Sequence, residues 1–296
     1  MIFSIILPIY KENYKDYHDL LSSILSNSYK DYEIIVIDDT IYNKENKFKD
    51  LAVSVGAKYY NNKKKLGLSM SCNLGLTFAK GKYVIFLNCD NIIQSDFLIK
   101  ANKKLTKNNV DTMMLYNRVL NSKNKFGQFV HSQSVKNILN GDRVKKLFNF
   151  NFLSYTEGFI VKKKLLEISG GFYDHNENFL KAGEDFIFAN ELRKIKNLNS
   201  IIDFSLNVSH TVPDEIDTFY HNRYIRGYGT PQIRYYYYNE SLVQCNLFFI
   251  LKNLIKLFFI LIFPLYIYKN ISFYNYFVNK KYLKLFEYFK IKIIED

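Results

Sequence analysis

The sequence predicts an α/β fold, a mostly parallel β-sheet with helices on both faces. The prediction rests on short apolar runs that alternate with segments of helical spacing. The run Phe3 to Ile9 is typical of a buried strand, and Tyr17 to Leu25 has its apolar residues on one helical face. A second apolar run, Tyr32 to Ile37, ends in Asp38 and Asp39. Strand, helix and strand in this order form a βαβ unit with a right-handed crossover.

The alternation continues after the first unit. Ala57 to Tyr60 is strand-like, Ser69 to Ala79 has helical spacing, and Tyr83 to Leu87 is the next apolar strand. Helical spacing resumes over Asp96 to Leu105. Residues 106–150 are rich in Asn and Lys with weak periodicity, which predicts one or two strands and a mobile connection.

The pattern becomes regular again near residue 159. Phe159 to Leu166 is an ordered segment, Gly170 and Gly171 interrupt the chain, and a helix is expected from Glu184 to Lys196. Apolar residues between 201 and 208 predict a further pair of strands.

Composition bounds the function classes. At 296 residues with 48% hydrophobic residues, the chain can bury a sizeable core, which excludes a disordered protein. The net charge of +13 favours anionic partners such as nucleotide phosphates, acidic lipid headgroups or nucleic acid. Cys72, Cys89 and Cys245 have neither CxxC spacing nor an even count, so we expect a reducing cytosol and no disulfide framework. We expect no secretion signal, because Pro8 interrupts the first apolar run.

The segment 242–268 differs from the rest in composition. Leu247 to Ile262 is almost wholly apolar except for Lys252, Asn253 and Lys256, which fall on one stripe of a helix that ends before Pro264. A spanning helix needs roughly 20 apolar residues. We therefore expect an in-plane helix on an anionic membrane surface, and keep a buried terminal helix and a transmembrane segment as alternatives.

The strand at 83–87 ends in a polar cluster, Asn88-Cys89-Asp90. In an open α/β sheet, ligands bind beyond the carboxyl ends of the strands. The position therefore predicts that Asp90 is a ligand for a metal ion or a sugar, and a simple Asn/Asp turn is the alternative.

Four local patterns carry a family resemblance when they are taken in order. They are Ile5 to Glu12, Glu33 to Asp39, the stretch from Leu66-Gly67 through Asn73-Leu74-Gly75 to Asp90, and Gly170-Gly171-Phe172 followed by Gly183-Glu184-Asp185. This succession resembles the inverting family 2 glycosyltransferases of the GT-A (Rossmann-like) fold, which use nucleotide diphosphate sugars. The resemblance covers residues 2–232 and is strongest over 2–100 and 157–190.

The resemblance implies a domain division and a nucleotide site. It implies a GT-A domain at 1–232, with a nucleotide-binding half at 1–105 and an acceptor-binding half at 106–232, followed by the membrane-associating tail at 233–296. The nucleotide-sugar-binding residues that it implies are Pro8, Tyr10, Glu12, Asp38, Asp39, Gly67, Asn73, Asn88 and Asp90. Among them, Asp39 is expected to accept a hydrogen bond from the base, often uracil. Two adjacent aspartates are otherwise a turn or a helix cap.

The resemblance also implies a divalent cation, Mn²⁺ or Mg²⁺. Asn88-Cys89-Asp90 occupies the place of the family's Asp-x-Asp signature, whose last acid binds the cation. Asn88 lacks the charge of the usual acid, which weakens the expected metal binding. His210 resembles an additional metal ligand, whereas a lone histidine is more often structural.

The catalytic base that the resemblance implies is Asp185. An inverting transfer needs a base that takes the proton of the acceptor hydroxyl, and the start of a helix favours an ionised carboxylate. Gly171, Phe172 and Glu184 are expected on the acceptor side. An acidic pair at a helix start is otherwise an ordinary cap.

The sequence thus predicts a glycosyltransferase on the inner face of the cell membrane that builds a surface glycan. Its expected partners are a nucleotide diphosphate sugar, with a UDP-linked sugar as the first expectation, and a saccharide or lipid-linked acceptor. A non-catalytic nucleotide-sugar-binding scaffold of the same fold is the alternative, because Asn88 replaces an acid. We expect no nucleic acid partner, since the lysines are scattered and the aromatic residues concentrate in the tail. A pyrophosphorylase would need a Gly-rich loop after the first strand, which Pro8 to Glu12 lacks.

Overall fold

The predicted alternation of strands and helices is present in the computed structural model of the chain. The structure describes residues 1–41, 46–107, 109–119, 124–128, 130, 158–173, 182–211, 215–239, 241 and 251. Its elements are β1 (Phe3–Ile9), α1 (Tyr14–Leu25), β2 (Tyr32–Asp38), α2 (Lys47–Ser54), β3 (Lys58–Asn61), α3 (Gly67–Phe78), β4 (Tyr83–Phe86), β5 (Ile92–Ile93), α4 (Phe97–Lys107), β6 (Thr112–Val119), β7 (Ile160–Lys162), α5 (Lys163–Ser169), α6 (Glu184–Arg193), β8 (Ser200–His210), α7 (Ile216–Gln232) and a π-helix (Ile233–Tyr237).

The strands form one sheet in the order β3-β2-β1-β4-β7-β6-β8-β5. The pairs β1/β2, β1/β4, β2/β3 and β6/β8 are parallel. The pairs β4/β7, β6/β7 and β5/β8 are antiparallel. The mostly parallel α/β sheet that the sequence predicts is therefore confirmed.

Helices cover both faces of this sheet. On one face, α1 and α4 pack against alternate residues of β1 such as Ile5 and Leu7. Ile6, which lies between Ile5 and Leu7 in β1, points to the other face, where α3 and α6 contribute residues to the same core cluster. Gly75 of α3 allows a close approach, because a Cβ there would lie 2.6 Å from Ile6 Cγ2.

The chain divides into two compact units. The first comprises residues 1–120, 138–179 and 184–211, and the second comprises 121–137, 180–183 and 212–296. The first unit contains all eight strands and α1 to α6. The expected division at residue 232 stays a prediction, as do the roles of the two halves on either side of residue 105.

Some elements differ from the sequence-based expectation. The helix α2 and the two-residue strand β5 lack a clear apolar period and were not predicted. The strand pair expected near 201–208 is one strand, β8, whose register to β6 shifts between Leu115 and Tyr116. Asp203 holds this irregularity by accepting the backbone N–H groups of Ser205 and Leu206 at 2.8 and 2.9 Å.

The expected membrane helix at 242–268 lies outside the described residues, apart from Leu251. No helix in the described part of the chain is long and apolar enough to cross a membrane.

Candidate active site

The carboxyl ends of three neighbouring strands bring the predicted nucleotide site together. β1 lies between β2 and β4, and the three are parallel, with Ile9 opposite Asp38 and Ile6 opposite Phe86. Parallel strands that are aligned in this way end at the same edge of the sheet. The loops that follow them, at 10–13, 39–41 and 87–91, therefore share that edge. Pro8 is buried within β1 beside this edge.

Asp39 ties this edge to the start of α3. Its carboxylate accepts hydrogen bonds from Asn62 Nδ2 at 2.8 Å, from Leu66 N at 2.7 Å and from Gly67 N at 2.8 Å. Asp39 is 3% exposed, and Gly67 has φ +78°, a conformation that glycine adopts without strain. The side chain thus caps the start of α3, and such a helix cap was the alternative to base recognition. These three hydrogen bonds occupy three of the about four acceptor positions of a carboxylate.

Asp38 is fully buried beside it. One oxygen accepts the backbone N–H of Thr40 at 2.8 Å, and the other accepts the hydroxyl of Tyr59. Burial, and then the hydrogen bond to Asp38, raise the pKa of Tyr59. The arrangement fixes the end of β2, so Asp38 positions the loop that carries Asp39.

Tyr10 and Lys65 connect two loops at this edge. Lys65 Nζ donates to the Tyr10 hydroxyl at 3.2 Å and lies 4.2 Å from the centre of its ring. Both side chains are exposed to solvent. The hydrogen bond from Lys65 is the main cause that lowers the pKa of Tyr10. The pair places an aromatic face and a positive charge where a nucleotide diphosphate is expected.

A tight turn carries Asp90. Asn91 is fully buried, its Oδ1 accepts the N–H of Asn88 at 2.8 Å, and its Nδ2 donates to Asp90 Oδ1 at 3.3 Å. Asp90 itself is partly exposed. Asn91 was not among the residues predicted from the sequence. Its position as a polar residue between Asp90 and the apolar pair Ile92-Ile93 is a local signal from which it could be predicted.

Glu12 lies close enough to Asp90 to sense its charge. Glu12 is exposed at the surface, yet the crowding of protein atoms around its carboxyl group raises its pKa, and the charges of Asp90 and Asp16 raise it further. The edge therefore combines at least two carboxylates of neighbouring loops.

The register of β5 brings His210 to the same turn. β5 and β8 are antiparallel, with Ile92 opposite Ser209. Continuing this register by one residue places His210 opposite Asn91, next to Asp90. The two residues predicted as metal ligands thus adjoin paired strands: Asp90 comes two residues before β5, and His210 is the last residue of β8.

The oxygen ligands at this turn fit a divalent cation that is shared with a substrate. Within the described residues, no group of three or more His, Cys, Asp and Glu side chains could hold a metal ion. Mg²⁺ is commonly bound by one or two carboxylates together with substrate phosphates, and does not need such a group. Asp90 supplies one such carboxylate, so the turn is compatible with this mode of binding.

Asn73 of α3 has a structural role that the sequence analysis did not foresee. Its Nδ2 donates to the carbonyl of Phe172 at 2.8 Å, and its Oδ1 accepts the N–H of Phe172 at 2.8 Å. Gly171 has φ +74°, and a Cβ there would lie 2.5 Å from Asn73 Oδ1. The side-chain amide expected at the nucleotide thus fastens the loop 170–172 to α3.

The ring of Phe172 belongs to the core. It is 2% exposed and packs edge-on against Phe86 and flat against Phe188, with ring centres 5.1 and 4.4 Å apart. Phe172 was expected on the acceptor side. Its ring packs in the core, and a role of this residue at the acceptor stays a prediction.

Asp185 opens α6 as predicted. It is partly exposed, and its Oδ1 accepts the backbone N–H of Phe186 at 2.7 Å. The positive end of the helix dipole favours the ionised carboxylate that a base requires. Burial, followed by the charge of Glu184, raises the pKa of the Cys72 thiol in α3.

Helix α3 therefore links the two ends of the predicted site. Its first residue, Gly67, donates to Asp39, and Asn73 is bonded to Phe172, whose ring stacks on Phe188 of α6. Gly67 and Asn73 are six residues apart, about 9 Å along the helix axis. The nucleotide-side carboxylate and the acidic pair at 184–185 are thus held by one short rigid segment within the first unit.

Curated relatives of the chain are glycosyltransferases. It is 28% identical over 130 residues to an uncharacterized glycosyltransferase of Rickettsia felis, covering 44% of this chain and 21% of that protein. It is 28% identical over 135 residues to WfgD of Escherichia coli, a UDP-Glc:alpha-D-GlcNAc-diphosphoundecaprenol beta-1,3-glucosyltransferase, covering 45% of this chain and 53% of that one. The chain spans between 21% and 53% of the length of these two relatives.

Solved structures share the fold. The mannosyltransferase PcManGT from Pyrobaculum calidifontis, in complex with GDP-Man and Mn²⁺, superimposes with a TM-score of 0.57 at 16% identity, covering 82% of this chain and 68% of that one. S. aureus TarS 1–349 in complex with UDP-GlcNAc gives a TM-score of 0.53 at 15% identity, covering 83% and 69%. At these identities the likeness shows a common GT-A fold.

A family model covers the part of the chain that contains β1 to α5. The model for Glycosyl transferase family 2 matches residues 4–168, which is more than half of the 296 residues. The match agrees with the fold and with the named relatives, and it confirms the resemblance predicted from the sequence. The chain therefore belongs to glycosyl transferase family 2.

Proposed function

We propose that the chain inverts the anomeric configuration while it moves a sugar from a UDP-linked donor to a saccharide or lipid-linked acceptor in cell-surface glycan synthesis. The observation that carries this proposal is α3, which is bonded to Asp39 at its start and, through Asn73 and Phe172, is connected to α6, the helix that begins with Glu184 and Asp185. The relative WfgD supports it, because its name includes a UDP sugar and a diphosphoundecaprenol acceptor. The likeness to TarS with bound UDP-GlcNAc supports the same donor class.

Asp185 is the proposed base. It takes the proton of the acceptor hydroxyl while that oxygen bonds to the anomeric carbon, and the bond from this carbon to the diphosphate oxygen breaks. The Phe186 N–H at 2.7 Å and the helix dipole keep the carboxylate ionised and oriented. Because attack comes from the side opposite the leaving group, the configuration inverts.

Asp90 and His210 are the proposed holders of Mn²⁺ or Mg²⁺. When bound, the cation neutralises negative charge on the departing nucleotide diphosphate. Lys65 and Tyr10 contribute a positive charge and an aromatic face on the nucleotide side, 3.2 Å apart. Pro8, Asn88 and Glu12 complete the proposed wall of the donor site.

The proposal is tested with the full-length protein and a panel of UDP sugars. We expect one donor to raise the melting temperature in the presence of Mn²⁺ and to release UDP slowly by transfer to water. Binding without any release of UDP would support the non-catalytic scaffold, which Asn88 favours. Failure of every UDP sugar to bind, alongside binding of a GDP sugar, would overturn the donor assignment.

The location at the inner face of the cell membrane is likewise a proposal. It rests on the net charge of +13 and on the composition of residues 242–268. Deleting the chain from Leu242 onward should release the protein from the membrane fraction. A truncated protein that stays in that fraction would refute attachment through the tail.

A further inference from the structure

Phe186 is an exposed aromatic residue directly beside the proposed base. It follows Asp185 in the first turn of α6, and its backbone N–H donates to Asp185 Oδ1 at 2.7 Å. Its side chain is 47% exposed, although phenylalanine is among the residues most often buried. A single exposed apolar side chain is common on protein surfaces, so its position has to decide whether it matters.

Packing fixes the direction in which Phe186 points. The next residues of α6, Ile187, Phe188 and Ala189, are at most 1% exposed. Phe188 stacks on Phe172 with ring centres 4.4 Å apart and planes at 17°. Because these contacts lock the rotation of the helix, Phe186 cannot turn into the core without displacing Phe188.

The chemistry of the transfer places the acceptor against this ring. A general base acts within hydrogen-bond distance, about 2.6–3.2 Å, of the hydroxyl that it deprotonates. The ring that bears this hydroxyl is then bound next to Asp185, within reach of the exposed side chain of the adjacent residue. Pyranose rings have an apolar face of C–H groups, and an aromatic face that loses water against it gains from the burial of apolar surface.

We propose that Phe186 is the stacking platform for the acceptor and selects acceptors whose reactive hydroxyl belongs to a pyranose ring. The inference rests on the proposed role of Asp185 and specifies the acceptor class of the same site. It predicts that cyclic saccharides bind to this ring, whereas an acyclic polyol such as mannitol, which has the same hydroxyl chemistry but no ring face, does not.

The chain contains no tryptophan, which makes a direct test possible. The substitution Phe186→Trp in the full-length protein introduces a single indole at the platform. With UDP and Mn²⁺ present, titration with the methyl glycosides of glucose, galactose, mannose and N-acetylglucosamine should change its emission saturably for at least one glycoside. Val53→Trp, on the exposed face of α2 where Val53 is 59% exposed, is the matched control and should not respond.

A second measurement connects this binding to the reaction. The glycoside that binds should also change the rate of UDP release, and Phe186→Ala should raise its half-saturating concentration about tenfold. No emission change, an equal change in Val53→Trp or with mannitol, or an unaltered half-saturating concentration in Phe186→Ala would each overturn the platform. Loss of UDP release from the unmodified protein would instead refute the proposed function, so the two failures are distinguishable.

Discussion

Carboxylates at the two ends of the same parallel strands have opposite environments. At the amino ends of β1 and β2, Glu33 is 8% exposed and accepts hydrogen bonds from Ser4 Oγ at 2.7 Å, Lys58 Nζ at 2.6 Å and Lys80 N at 2.6 Å. At the carboxyl ends, Glu12 is exposed and lies near the like charge of Asp90. The amino ends satisfy Glu33 within the fold, whereas the carboxyl ends combine the buried, hydrogen-bonded Asp38 and Asp39 with the exposed Glu12.

The pKa values of these two glutamates differ in direction. Burial alone would raise the pKa of Glu33, but the hydrogen bonds from Lys58, Ser4 and Lys80 outweigh it and hold the value below 4.5. Loss of solvation, followed by Asp90 and Asp16, raises the pKa of Glu12 above the same reference. Residue type alone therefore does not distinguish a structural acid from a functional one. The hydrogen-bond donors and charges around the carboxyl group distinguish them.

The largest expected effect is a loss of catalysis, with donor binding retained, on substitution of the proposed base. Asp185→Asn removes the proposed base, and we expect UDP release and sugar transfer to fall about 10²- to 10⁴-fold, because a general base contributes that much. Donor binding, measured by thermal shift with Mn²⁺, should stay close to that of the unmodified protein.

Glu191→Gln is the matched control for this substitution. It removes an acid from the same helix, where Glu191 pairs with Lys194 at 2.7 Å near the surface. We expect less than a twofold change in UDP release. Substantial turnover by Asp185→Asn would assign the base to another residue.

A smaller effect is expected for the metal ligand at the same edge. Asp90→Ala should weaken Mn²⁺-dependent donor binding by at least about 10- to 100-fold, since the cation loses a direct carboxylate ligand and the loss of a mere hydrogen-bond partner of such a ligand already costs that much. Asn88→Asp adds the acid that the sequence lacks and should lower the Mn²⁺ concentration needed for half-maximal UDP release. Titration of both variants with Mn²⁺ measures this, and an unchanged metal requirement in Asp90→Ala would place the cation elsewhere.

The positions of the acids could be predicted from the sequence better than the short elements and the residues that hold them in place. Apolar runs with polar ends located β1, β2 and β4, because a strand buried on both faces has few polar residues until it leaves the sheet. The acids at 39, 90 and 185 could therefore be placed at strand or helix ends from local pattern alone. Short or weakly apolar elements such as β5 and α2 give no such signal.

The partners of these residues were not predictable, since they are distant in sequence. Asp39 meets Leu66 and Gly67 only because β3 lies next to β2. Asn73 and Phe172 are 99 residues apart in the chain. A local pattern shows which residues can bind a ligand. The folded chain shows that the side chain of Asn73 is instead hydrogen-bonded to the backbone of Phe172.

A substitution of Glu33, at the amino ends of β1 and β2, should change the stability of the protein and leave its catalytic rate unchanged. Glu33→Gln removes the charge that Lys58 pairs with, and we expect the free energy of unfolding to fall by about 1–3 kcal/mol. UDP release per folded molecule should stay unchanged. Urea denaturation measures the first effect, and Glu167→Gln, at an exposed pair with Lys163, is the control, with an expected change below about 0.5 kcal/mol.

The same carboxylate gives the stability a pH dependence. The pKa of Glu33 is lower in the folded than in the unfolded chain, so its contribution is present above the unfolded value near 4.5 and is lost as the pH falls through the folded value. The unmodified protein should lose stability relative to Glu33→Gln over this acidic range. A difference between the two proteins that stays constant down to pH 3 would contradict the linkage.

The smallest expected effect concerns the loop that joins α5 to the acceptor side. Gly170 and Gly171 both have positive φ, at +78° and +74°, so an alanine at either position costs about 1–2 kcal/mol in backbone strain. At Gly170 a Cβ would meet nothing within 4 Å, whereas at Gly171 it would lie 2.5 Å from Asn73 Oδ1. Gly171→Ala should therefore lose about 1 kcal/mol more stability than Gly170→Ala in urea denaturation, because the hydrogen bonds from Asn73 to Phe172 are disturbed. It should also raise the half-saturating glycoside concentration for UDP release, which Gly170→Ala should not do. Equal stability and equal kinetics of the two variants would show that the Asn73 contact does not hold the loop in place.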